Sequence, residues 1–166
     1  MTPLHIVSNR ALDVVPATML RAPTTVVATS LHDVTRALTA QAARAPTCPI
    51  AIDLVGHSTR AHQLLRLGST VIDALDLAVF RFFEAIGRSG ILCDINAVCL
   101  RLLGCETATS PCGVRTMRLL SSVLAIPVYG SRKLLSRTHH TATGFNPIFR
   151  HVLVDAAGDV PPVALT

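Results

Sequence analysis

Two short apolar runs, each closed by a glycine and each handing over to a reactive side chain, constrain this chain more tightly than any other feature. The first is Ile50-Ala51-Ile52-Asp53-Leu54-Val55-Gly56, followed by His57. The second is Ala97-Val98-Cys99-Leu100-Arg101-Leu102-Leu103-Gly104, followed by Cys105. Apolar runs of this length between turn residues read as buried strands. As parallel neighbours in one sheet they bring an imidazole and a thiol out side by side at its carboxyl edge. Open α/β sheets bind their ligands at that edge. A Cys–His pair is also what thiol nucleophiles require, because the thiolate and not the thiol attacks.

Strand and helix signals alternate along the rest of the chain. Residues 1–23 read as irregular, punctuated by Pro3, Pro16 and Pro23, with residues 4–7 as a short edge strand. Residues 24–29 are β-branched and read as a first core strand. Ser30 is placed to cap a helix over 31–44, in which Leu31, Val34 and Leu38 recur at helical spacing. Residues 63–68 read as a small strand or hairpin. Ser69 or Thr70 then caps a helix over 71–87, with an apolar stripe that includes Val79, Phe82, Phe83 and Ile86. Residues 91–93 form a short extension. After a polar loop at 106–113, a helix is expected over 114–125 and a short strand over 127–130. Residues 131–147 read as an irregular polar loop over the site, with His139 and His140 solvated in it, and residues 149–155 as a last strand. The alternation predicts an α/β fold, a three-layer αβα sandwich with a central, mostly parallel sheet and helices on both faces.

At 166 residues the chain fits one domain, 1–166, with residues 1–23 and 156–166 peripheral. Half of it is hydrophobic and the mean hydropathy is +0.50, which predicts a fully buried sheet and an apolar surface for homo- or hetero-oligomer contacts. No apolar run reaches the roughly 18–20 residues that cross a bilayer, and the N-terminus lacks a basic segment followed by an apolar one. The expectation is a cytoplasmic protein without a membrane partner. The net charge of +5 comes from arginines scattered along the chain. With one Tyr and no Trp there is no stacking cluster, so no nucleic-acid partner is expected. Five cysteines make an odd count, which argues against a disulfide framework. Cys48, Cys93 and Cys99 read as small core residues. Cys105 and Cys112 are too far apart for a zinc knuckle, and neither metal nor cofactor is expected.

The segment Leu54-Val55-Gly56-His57-Ser58 resembles the histidine motif of the clan that unites caspases, metacaspases, legumains, separases and bacterial caspase-like peptidases. Leu102-Leu103-Gly104-Cys105-Glu106-Thr107-Ala108 resembles the cysteine motif of its small bacterial members. The resemblance covers residues 50–132, and the 48-position interval from His57 to Cys105 is similar to the family's. It implies a caspase-like fold and a cysteine endopeptidase in which Cys105 is the nucleophile and His57 the general acid/base, without an obligatory third carboxylate. It also implies an oxyanion hole from the backbone N–H groups of Cys105 and Ser58, the latter standing where the family commonly has glycine. Arg132, with Ser131, falls near the family's substrate-binding arginine, which suggests an acidic residue at the cleaved position. The partner implied is a protein or peptide substrate cut by limited proteolysis, a pore-forming effector in bacterial cell-death defence being one example.

Other readings fare less well. Gly56-His57-Ser58 mimics the start of a G-x-S-x-G nucleophile elbow, but Arg60 stands where that turn demands a small residue. A cysteine phosphatase would need an arginine where Pro111 stands. The rival from a different class is a catalytically inactive caspase-like scaffold, which the apolar composition and Ser58 would suit.

Overall fold

The computed structural model describes residues 3–162. Its sheet strands are β1 (Leu4–Ser8), β2 (Thr25–Ala28), β3 (Ile50–Val55), β7 (Ala97–Leu103), β8 (Val128–Ser131) and β11 (Leu153–Val154). A three-stranded ribbon of β4 (His57–Ser58), β5 (Leu65–Leu67) and β6 (Thr70–Val71) follows β3, and a hairpin of β9 (His140–Thr141) and β10 (Gly144–Phe145) follows β8. The helices are α1 (Ala17–Leu20), α2 (Leu31–Ala42), α3 (Leu77–Arg88), α4 (Ile91–Asp94) and α5 (Pro111–Leu124). The six-stranded sheet runs in the order β11-β8-β7-β3-β1-β2. Its pairs are parallel except β8 with β11, so the fold is α/β with a mostly parallel mixed sheet.

Side-chain alternation divides the core in two. On one face Ile52, Leu54, Leu100 and Leu102 pack with Val34, Leu38, Phe83, Ile86, Leu92, Met117 and Leu120 from α2 to α5. On the other, Val7, Ala51, Val55, Cys99 and Leu103 are covered by Val15, Met19, Leu135, Phe145 and Val152. That second cover comes from α1, the hairpin and turns of 3-10 helix, where regular helices were expected on both faces. Among the described residues, no helix is long and apolar enough to cross a membrane.

The first two strands exchange the roles expected of them. Leu4–Ser8 is fully buried between β3 and β2, whereas β2 is a half-exposed edge strand with Val27 at its surface. Residues 3–23, expected to be peripheral, are therefore part of the core structure. At the other end Pro161 is buried, Ala156 packs against the core, and residues 163–166 lie outside the described residues. The helix expected over 71–87 begins at Leu77. Thr70–Val71 is taken by the ribbon, and the Asp76 carboxylate caps the Ala78 and Val79 N–H groups instead. Helix α5 starts three residues early because Ser110 caps it and Pro111 occupies its first turn. Cys48 and Cys93 are exposed, so of the three expected core cysteines Cys99 alone is buried.

A charged row crosses the middle of the sheet. His5, Asp53 and Arg101 are paired in register on β1, β3 and β7, and all three are buried. Arg101 grips Asp53 with two nitrogens, Nε to Oδ1 and Nη2 to Oδ2 at 2.9 Å, and the His5 Nδ1–H donates to Oδ2 at 3.0 Å. Burial alone would push the Asp53 carboxyl up, but the Arg101 guanidinium and His5 outweigh it and hold the group at about 2. Above this row lies His140. Burial pushes its imidazole down to about 4 against the pull of Asp53, and among the described residues neither ring nitrogen has a hydrogen-bond partner.

Removing Arg101 leaves the buried Asp53 carboxylate with His5 as the neighbour that holds it. We expect Arg101→Met to lower stability by about 3–5 kcal/mol, and Asp53→Leu added to it to recover most of that loss, read as urea midpoints. His140 makes stability depend on pH. The unfolded imidazole binds its proton near 6.5 and the folded one only near 4. Stability therefore declines as pH falls through that window, by up to roughly 1.4 kcal/mol per pH unit. His140→Leu should flatten the decline between pH values of about 7 and about 5. The Asp53 loss begins only below its unfolded value of 3.8.

Candidate active site

Strands β3 and β7 are direct neighbours, with Val55 opposite Leu103, and the Gly56 N–H donates to the Leu103 carbonyl at 3.2 Å. The two chains thus leave the carboxyl edge together, one as Gly56-His57 and the other as Gly104-Cys105. Gly56 is required by close approach of backbone. A Cβ at position 56 would overlap the Arg66 carbonyl of β5. One at position 104 would stand 2.6 Å from Ser58 Oγ and 2.7 Å from Leu65 Cδ1. The ribbon is seated further by the Gly68 N–H, which donates to Ser8 Oγ at the end of β1 at 2.9 Å.

The His57 ring is 46% exposed, and its Nε2 lies 3.3 Å from Asp13 Oδ1, in the 3-10 turn Leu12–Val14. That leaves Nδ1 as the nitrogen available for proton exchange. Arg66 stands directly across the β4–β5 ladder from His57. Cys105 is half-buried, and its sulfur receives the Leu135 N–H at 3.3 Å and lies 3.6 Å from the Leu135 carbonyl oxygen. The chain turns sharply after it, with Glu106 at φ +57° and the Glu106 N–H donating to the Lys133 carbonyl. Arg137 then donates to the Asp13 carbonyl at 3.0 Å. One segment, 133–137, therefore touches the surroundings of both reactive groups. Among the described residues no hydrogen bond joins the His57 ring to the Cys105 sulfur. Hydrogen bonds of catalytic bases commonly tighten only when substrate is seated.

Burial pushes the Cys99 thiol up to about 12, against the pull of Arg101, which leaves it unreactive. Two backbone donors lie at the edge. The Thr59 N–H donates to the Leu64 carbonyl at 2.8 Å, and donors alternate sides along an antiparallel ladder, so the Ser58 N–H points out of the ribbon. The Cys105 N–H makes no hydrogen bond among the described residues.

The remaining sequence candidates are engaged elsewhere. Ser131 is fully buried, its N–H donating to Thr107 Oγ1 at 2.8 Å and its hydroxyl to the Lys133 carbonyl at 2.7 Å. Arg132 is exposed, with Nη2 donating to the Gly158 carbonyl at 2.7 Å. His140, read as solvated, is a buried residue of the hairpin strand β9. Asp13, Leu135 and Arg66 are contacts that the motifs did not disclose. A lone acid 44 positions before His57 and a leucine that acts through its backbone carry no sequence signal.

No family model matches the chain, and neither a curated protein nor a solved structure matches it. Because backbone blocks a side chain at position 56, Gly56→Ala should cost about 1–3 kcal/mol, a loss that thermal unfolding would register.

Proposed function

We propose that this protein is a cysteine endopeptidase working through a Cys105–His57 dyad, a caspase-like enzyme of the small bacterial kind. The observation that carries the reading is the shared exit of His57 and Cys105 from adjacent, in-register strands at the carboxyl edge of the sheet. Their order and spacing match the resemblance drawn from the sequence. His57 accepts the thiol proton and the sulfur attacks the scissile carbonyl carbon, forming a tetrahedral oxyanion that the Ser58 and Cys105 N–H groups can receive. His57 then gives the proton to the leaving amine as the C–N bond breaks, leaving a thioester. Water activated by His57 hydrolyses the thioester and restores the thiol. Limited cleavage of a partner protein in bacterial defence rests on the resemblance alone.

Asp13 enters this scheme as a positioning residue for the imidazole. Its carboxylate is exposed and its contact long, so its contribution is smaller than that of a buried triad acid.

A peptidyl chloromethyl ketone tests the dyad without knowledge of the substrate. Cys105 should be alkylated at least about tenfold faster than the exposed Cys48 and Cys93, and His57→Ala should abolish that preference. Equal labelling of the accessible cysteines would instead favour the inactive scaffold.

A further inference from the structure

The wall of the site on the histidine side is basic, with three arginines against the one carboxylate of Asp13. A surface pocket of about 500 Å³ is bordered by His57, Ser58 and Thr59 together with Arg10, Arg60 and Arg66. The arginines arrive from separate places: Arg10 from the turn after β1, Arg60 from the loop after β4, and Arg66 from β5. All three are exposed, and among the described residues none forms an ion pair with a carboxylate. Asp13, the acid that reaches this wall, is engaged by His57. Three guanidinium groups around one concavity repel one another and focus a positive potential into it.

We propose that this pocket binds acidic side chains of the substrate protein, on the side of the scissile bond that leaves with the new amine. The inference rests on the peptidase reading above. A general acid must stand beside the nitrogen it protonates, so the departing fragment runs over the wall that carries His57. Guanidinium groups suit that role because they can grip carboxylates with two parallel hydrogen bonds. A single-stranded nucleic acid fits less well, since the lining offers no aromatic ring beyond the imidazole for bases to stack on. Arg132 is not part of this wall, and its guanidinium is held by the Gly158 carbonyl.

Binding can be read apart from cleavage. Full-length Cys105→Ala protein is titrated against a fluorescent peptide carrying three glutamates and against the same peptide with glutamines, by anisotropy. The glutamate peptide should bind about tenfold tighter or more, and lose that advantage between about 50 and about 300 mM salt. Arg60→Gln with Arg66→Gln should remove the preference, and Arg66→Lys should keep part of it, with circular dichroism confirming the fold of each variant. Equal affinity for the two peptides, or a preference that survives loss of both arginines, overturns the proposal. So does tighter binding of single-stranded RNA of equal length. A glutamate peptide that binds but is never cut by the Cys105 protein removes the peptidase reading and leaves the carboxylate-binding pocket supported. With active protein, a peptide library should show Asp or Glu enriched after the cut. Enrichment confined to the residue before it would overturn the assignment to the leaving side.

Discussion

The Asp53–Arg101 contact fixes the register on which the carboxyl edge depends. A slip of one residue between parallel strands would turn each inward side chain outward. Here a slip would also separate a buried carboxylate from a buried guanidinium, an error far more costly than misplacing one leucine for another. The pair stands two residues before the end of each strand, with Val55 and Leu103 completing the ladder. His57 and Cys105 therefore leave the sheet level with each other because the row behind them tolerates no other alignment. His5 extends the same constraint to β1, whose end supports the ribbon through Ser8.

The same row explains where the sequence misleads. The runs ending at Gly56 and Gly104 read correctly as buried parallel strands because their apolar residues outweigh one charge each. Leu4–Ser8 carries a histidine in a short run near the terminus, which in isolation resembles an exposed edge strand. It is central because His5 finds its partner 48 residues away on β3, and local pattern holds no trace of a contact at that range. Thr25–Ala28 errs the opposite way, since β-branched residues suit an edge strand as well as a central one. The first boundary of α3 was hidden for a related reason. Residues 70–71 satisfy their backbone in the ribbon, and whether a helix or a ladder claims them is decided by β5.

The site divides along similar lines. The two residues of the proposed dyad stand at strand ends marked by glycines, and Gly56 proves to be a clearance that lets the ribbon close against the strand end. Its electrostatic surroundings were unmarked. Arg10, Arg60 and Arg66 belong to a scatter of arginines along the chain, and folding alone gathers them beside the imidazole. Ser131 looked available beside Arg132, yet Thr107 and Lys133 consume its polar groups.

The grip on the Cys105 sulfur has one further implication. It is made by the amide and carbonyl of Leu135, whose buried side chain anchors the segment in the core. A proline at 135, which deletes the amide proton, would remove one of the two contacts that the sulfur makes there. Around it the exposed side chains of Lys133 and Leu134 are free to vary their outward chemistry while the main chain keeps a fixed duty.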